Sequence, residues 1–192
     1  ITPSTIENLV TESTKAILYV CAYGNVGDLD QIAEFSNDLN IHFINDCAPS
    51  IFGHFKGKSI PSFGVFSVLS FFADKTITTG EGGMLLTDSK NIIEECNMMK
   101  HDGRRERGHD LIERIGYNFR ITELQTAVGV AQLDRAPGFN SRKNAIYNQY
   151  TLLLKETKGF HLFEFNKEAE VNIHRVIIMV ENAKDLIGHL TS

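Results

Sequence analysis

The sequence predicts an α/β protein built on a largely parallel sheet, and two observations carry that expectation. Over the first 46 residues, amphipathic and apolar segments alternate as helix, strand, helix, strand, the order that crossover connections between parallel strands leave behind. Farther on, Phe63 to Phe72 is dense in Phe, Val and Leu, as a strand buried on both faces would be.

Each element has its own reason. Residues 4–13 form the first expected helix, with Ile6, Leu9 and Val10 on one face. Ala16 to Cys21, AILYVC, suits a buried strand ending in a Tyr23-Gly24 turn. From Asp28 to Asn40, the residues Leu29, Ile32, Ala33, Phe35 and Leu39 fall close to helical spacing behind an acidic cap. His42 to Asp46 is the second strand, and Cys47 to Pro61 is irregular, with FGHFKGK a tight excursion. A polar crossing, Ala73 to Glu81, joins the Phe63–Phe72 run to a short strand over Met84 to Thr87.

A helix over Ser89 to Lys100 turns Ile92, Ile93, Cys96 and Met99 inwards, and His101 to Arg114 reads as a polar loop. Thr122 and Gln125 form a capping box for a helix that buries Leu124, Ala127, Val128 and Ala131. Those small residues suit close packing on another element or another subunit. Pro137-Gly138 ends that helix and marks a domain boundary, dividing the chain into residues 1–136 and 137–192. A second helix then runs from Phe139 to Lys158, with Ile146, Tyr150, Leu153 and Leu154 on one side. Strands over 160–165 and 172–181 and a short helix over 183–190 complete the chain.

Composition excludes several classes of function. A net charge of −5 argues against a nucleic-acid or anionic-membrane surface. The one basic cluster, Arg104, Arg105 and Arg107, reads as a solvated, mobile loop. No apolar run approaches the roughly 18 residues that span a bilayer, and the first residues lack the pattern of a signal peptide. Cys21, Cys47 and Cys96 include no CxxC pair, which fits reduced thiols in a cytoplasmic protein. The seven histidines lack ligand spacing, so no structural metal is expected. Gly53 and Gly57 enclose three residues where a phosphate-binding P-loop needs four, and Gly80-Glu81-Gly82-Gly83 lacks the third glycine of a dinucleotide fingerprint. Its glycines serve backbone freedom at a crowded crossing.

The chemistry centres on Lys75, alone in the polar crossing that follows the most apolar strand. A lysine there can reach the carboxyl edge of the sheet, where open α/β sheets bind ligands. Its amine attacks carbonyls once burial or neighbouring cations favour the neutral form. By itself, a lysine in such a position is more often a solvated loop residue. Asp46, ending HFIND, is by the same standard more often a turn or helix cap.

The stretch SFFADKTITTGEGGMLLTD resembles the Schiff-base segment of the DegT/StrS-type sugar aminotransferases, which use pyridoxal 5′-phosphate. IGYNFRITELQTAVGVAQLDR, residues 115–135, and ILYVCAYG, residues 17–24, extend the resemblance over nearly the whole chain. It implies a transferase of fold type I: the central part of the large cofactor domain with a mostly parallel sheet, followed by the start of a small α+β C-terminal domain. It also implies that the match begins part-way into the first domain and stops part-way through the second, since members are considerably longer.

Carried over residue by residue, the resemblance makes Lys75 the Schiff-base lysine and Asp46 the partner of the pyridine nitrogen. Ser70 becomes a phosphate ligand, and Asn118 an asparagine donated to the phosphate of a neighbouring subunit, so that a homodimer shares its active sites. Arg120 is either structural or substrate-facing. Pro49 stands where relatives place a polar side chain against the cofactor ring, and it offers no side-chain hydrogen bond. Cys21 replaces a histidine, and Arg175 an aromatic residue. The activity implied is transfer of an amino group from an amino acid, L-glutamate in relatives, to a nucleotide-linked 4-keto-6-deoxy sugar. The alternatives are another pyridoxal-phosphate reaction, such as a lyase or decarboxylase, and an inactive fragment or pseudoenzyme of the same fold.

Overall fold

The computed structural model describes residues 1–106, 108 and 110–191. Its centre is a four-stranded sheet made of β1 (Ala16–Val20), β2 (His42–Asp46), β5 (Phe66–Ser70) and β6 (Gly83–Leu86), in the order β1-β2-β5-β6. β1, β2 and β5 are parallel, and β6 returns antiparallel to β5. The mostly parallel sheet is therefore present, with its antiparallel strand at one edge.

Helix α1 (Pro3–Ile6) is a single turn followed by a 3-10 turn over Glu7–Leu9, shorter than the periodicity suggested, and Leu9 stays exposed. α2 (Leu29–Asp38) crosses from β1 to β2 and buries Leu29 and Ile32. Asp28 sits at its N-cap position without a side-chain cap hydrogen bond. The FGHFKGK excursion is a hairpin of β3 (His54–Phe55) and β4 (Lys58–Ser59). Lys56 and Gly57, at φ of 48° and 76°, make the two-residue turn whose left-handed backbone matches strand twist. A strand that the periodicity did not reveal, β8 (Ala169–Glu170), pairs with β3 and ties the later chain to the hairpin.

The core lies between the sheet, α2 and this hairpin. Phe55, Leu29, Ile32 and Ile60 are fully buried, each stabilising the fold by about 1.5–3 kcal/mol. One buried polar chain runs through it. The Cys21 thiol donates to Asn45 Oδ1 at 3.2 Å, and Asn45 Nδ2 donates to the Ile60 carbonyl at 3.0 Å. Hydrogen bonding with Cys47 and then burial hold the Cys21 thiol far above its ordinary pKa, so it stays protonated. All three cysteines are free.

α3 (Lys90–Lys100) is capped by Ser89, whose hydroxyl accepts from the Ile92 amide. Its buried residue is Met98, whereas Ile93 and Met99 are exposed, which corrects the inward face expected of them. In the loop that follows, Arg104 pairs with Asp102, and Arg105 with Glu94 and Glu113. Those two arginines are ion-paired rather than merely solvated; Arg107 lies outside the described residues.

The largest correction concerns α4 (Glu123–Leu154), which is one helix of 32 residues running through Pro137. Pro137 and Gly138 are exposed, so water can serve the carbonyl that loses its amide partner, and packing of the buried Ala136 on the other side holds the helix together. The capping box of Thr122 and Gln125 is formed as its spacing predicted. Leu124, Ala127, Val128 and Ala131 are nevertheless exposed. The face expected to be buried is open, and a different face packs inwards. β7 (Phe160–Leu162) and β9 (Ile178–Val180) pair antiparallel, and α5 (Ala183–Thr191) ends the chain. These strands are shorter than 160–165 and 172–181. Among the described residues, no helix is long and apolar enough to cross a membrane.

Candidate functional site

Strand alternation places two of the expected residues on one face. In the register, Asp46 pairs with Val68, and Ser70 lies two residues farther along β5. Asp46, Val68 and Ser70 therefore share the half-buried face, while Asn45, Ser67 and Leu69 point into the core. Both polar residues end their strands, at the carboxyl edge of adjacent parallel strands. The Asp46 carboxylate accepts from the Ala48 amide at 3.0 Å, which orients it in the turn containing Pro49. Ser70 Oγ accepts from the Phe72 amide at 3.3 Å.

Lys75 stands in the loop that leaves β5 at this edge. The loop is closed by Phe71, whose amide donates to the Gly82 carbonyl at 2.9 Å and whose carbonyl accepts from the Thr79 amide at 3.0 Å. Gly82 has φ of 150°, and a Cβ there would lie 2.6 Å from Thr79 Oγ1, so the crossing admits glycine alone. The Lys75 side chain is 20% exposed, and its Nζ lies 3.6 Å from Asp74 Oδ1. Desolvation opposes ionisation of Asp74, but Lys75, Arg175 and His174 outweigh it and hold the carboxyl below its ordinary value.

Three residues that sequence reasoning did not assign to the site meet here. Arg175 Nη2 donates to Asp74 Oδ2 at 2.6 Å, so the arginine that replaces an aromatic residue grips the neighbour of Lys75. Lys143 Nζ, from α4, donates to Thr76 Oγ1 at 2.9 Å. His174 Nδ1 is buried without a hydrogen-bond partner among the described residues. Burial, and then the charges of Lys75, Lys143 and Arg175, hold the His174 imidazole below its ordinary pKa against the pull of Asp74. Burial followed by Arg175 does the same to Lys143.

The His174 shift has a measurable consequence. The unfolded chain takes up this proton near pH 6.5 and the folded chain only at lower pH, so the folded state loses stability as pH falls below 6.5. Urea midpoints measured from about pH 7 to about pH 5 are expected to decline less steeply in His174→Gln than in the parent. Equal slopes would show that His174 is not held neutral.

Asn118 is apart from this group. It forms an isolated bridge with His101, and its Oδ1 accepts from Arg120 Nε at 2.8 Å, so Arg120 orients Asn118. Tyr117 and Phe119 flank it, stacked at 5.0 Å and both exposed. Cys21, the residue that replaces a histidine of the family, points into the core.

The chain has close counterparts among known proteins. The model of the DegT/DnrJ/EryC1/StrS aminotransferase family matches residues 1–192. GDP-perosamine synthase of Escherichia coli O157:H7 is 43% identical over 150 residues, covering 77% of this chain and 40% of that protein. GDP-perosamine synthase of Vibrio cholerae is 34% identical over 185 residues, covering 88% of this chain and 50% of its own length. DesV of S. venezuelae superposes with a TM-score of 0.92 at 26% identity, covering 100% of this chain and 51% of that one. The chain spans about half the length of these relatives. It belongs to the DegT/DnrJ/EryC1/StrS aminotransferase family, whose cofactor is pyridoxal phosphate.

Proposed function

We propose that the chain is the central part of an aminotransferase that moves an amino group from an amino acid, L-glutamate first among donors, to a nucleotide-linked 4-keto-6-deoxy sugar. Perosamine synthesis for a cell-surface polysaccharide such as O-antigen, in the cytoplasm, is the setting that the similarity to the two GDP-perosamine synthases supports. The observation that carries the reading is that Asp46 and Ser70 end adjacent parallel strands at one carboxyl edge, with Lys75 in the loop that leaves that edge.

That donor set fits pyridoxal phosphate: a carboxylate for the ring nitrogen, a hydroxyl for the phosphate and an amine for the aldehyde carbon. The unpartnered His174 Nδ1 leaves a polar atom at the same place for a further ligand. When bound, the cofactor supplies an electron sink for negative charge at the amino-bearing carbon. Asp46, fixed by the Ala48 amide, would hold a proton at the ring nitrogen. Lys75 would carry a proton between the substrate carbon and the cofactor carbon, and Asp74 keeps a negative charge beside its amine. Pro49 would lie against the cofactor ring without offering a side-chain hydrogen bond.

The working unit is a homodimer. The exposed Leu124, Val128 and Leu133 of α4 and the Tyr117–Phe119 stack around Asn118 support an apolar interface through which Asn118 reaches the partner's phosphate. Residues 1–136 form part of the cofactor domain and 137–192 the start of the small domain, with α4 common to both. A second reading, a non-catalytic protein of the same fold, is favoured by Pro49, which offers no side-chain hydrogen bond.

One half-reaction separates the two. Protein loaded with pyridoxal phosphate and mixed with L-glutamate is expected to release 2-oxoglutarate in an amount equal to the protein. No release would leave the non-catalytic reading standing.

A further inference from the structure

The face that α4 turns inwards has a regular composition. Gln125, Gly129, Gln132, Ala136, Asn140 and Lys143 follow at intervals of four and three, one stripe of an α-helix. Along it the helix meets the Lys75 loop repeatedly. Gln125 Nε2 donates to the Glu81 carbonyl at 2.9 Å, and Gln132 Oε1 accepts from the Thr78 amide at 3.3 Å. A Cβ on Gly129 would lie 3.0 Å from Thr79 Cγ2, and Ala136 is buried. At the far end, Lys143 reaches Thr76, the residue that follows Lys75, and Asn140 is linked to it through Asn172.

There the hydrogen bonds have a fixed direction. An ammonium can only donate, so Thr76 Oγ1 accepts from Lys143 and must spend its own proton elsewhere. It donates to Asn172 Oδ1 at 3.2 Å, and the Asn172 amide nitrogen then donates to Asn140 Oδ1. Thr76 and Asn172 are buried, which makes each of these bonds costly to lose. On the other side of Lys75, Arg175 grips Asp74, but that pair is half exposed and holds less firmly.

We propose that Lys143 is a positioning residue for Lys75: through Thr76 it orders the Thr76–Asn172–Asn140 chain and sets the loop that presents the Lys75 amine at the sheet edge. The proposal rests on the reading of Lys75 as the reactive amine. It assigns to the second half of α4, beyond Pro137, control over a residue 67 positions earlier in the pairing with Thr76. Lys143 touches no reacting atom in this account and acts only through its neighbour.

Two readouts test it. The first is hydrogen exchange of the peptide spanning residues 73–79 in protein without cofactor. Lys143→Met is expected to speed it by about tenfold, while Lys143→Arg, which still donates, stays within about twofold of the parent. The second is the rate at which Lys75 acquires a pyridoxyl group with pyridoxal phosphate and borohydride, expected to fall about tenfold in Lys143→Met and to be kept in Lys143→Arg. Lys167→Met, at an exposed site, serves as the control. Thr76→Val, which keeps volume and removes both hydrogen bonds, must reproduce the Lys143→Met result, and it replaces that variant if Lys143→Met does not fold.

Exchange and labelling at parental rates in Lys143→Met and Thr76→Val would overturn the proposal. Failure of the functional reading looks different: the parent protein itself would take no label at Lys75. The exchange comparison would then still decide whether Lys143 sets the loop.

Discussion

Replacing Lys75 with Ala is expected to abolish incorporation of a pyridoxyl group after borohydride reduction in the presence of pyridoxal phosphate. The effect is complete because the bond to the cofactor needs a neutral amine at one place, and alanine offers none. Two other lysines are committed elsewhere. Lys56 is bound to Asp30 at 2.8 Å and lies close to Glu168, and Lys143 donates to Thr76. Lys75 has one ion-pair partner among the described residues, Asp74 at 3.6 Å, in a partly exposed pair. An unfolding midpoint close to that of the parent shows that the variant keeps its fold, so that the lost label reports chemistry. Peptide mapping of the parent checks the assignment. A label at Lys143 would move the reactive amine onto α4, and no label at any lysine would leave the family match as a record of ancestry.

Truncating Phe55 to Ala is expected to destabilise the chain by about 3–5 kcal/mol, a large share of the stability of a single domain. Phe55 is fully buried, with its ring edge-on to Phe63 at 5.9 Å. It sits on β3, which pairs with β4 on one side and β8 on the other, so its ring anchors to the core the strands that bring residues 169–175 near the site. A large cavity there loosens the support of His174 and Arg175 as well as the core. Urea unfolding measures it: the midpoint should fall with the slope unchanged. A loss below about 1 kcal/mol would show that the hairpin unfolds separately from the sheet.

Much of this protein is legible in its order of residues. β1, β2 and β5 and the crossover α2 follow from apolar runs and helical spacing, because each buries side chains whose pattern is local. Thr122 and Gln125 announce the start of α4 by a reciprocal cap that needs no other part of the chain. Lys75, Asp46 and Ser70 each close or follow a strand that its own composition defines. Once the strands are parallel neighbours, alternation alone puts Asp46 and Ser70 on one face.

What the sequence could not decide was which faces and which distant residues come together. Pro137 reads as a helix end locally, yet packing of Ala136 and access of water to the opposite side carry α4 through it. Leu124 and Val128 look like core by hydropathy and are open, because the buried stripe is set by contact with the Lys75 loop and is made of Gln, Gly, Ala, Asn and Lys. Lys143, Asn172, His174 and Arg175 carry no local pattern that points to Lys75. Only the return of the chain along α4 and through β8 places them beside it. Strand and helix periods are short-range physics written into neighbouring residues, whereas hydrogen bonds between residues 67 to 101 positions apart exist only once the chain has folded.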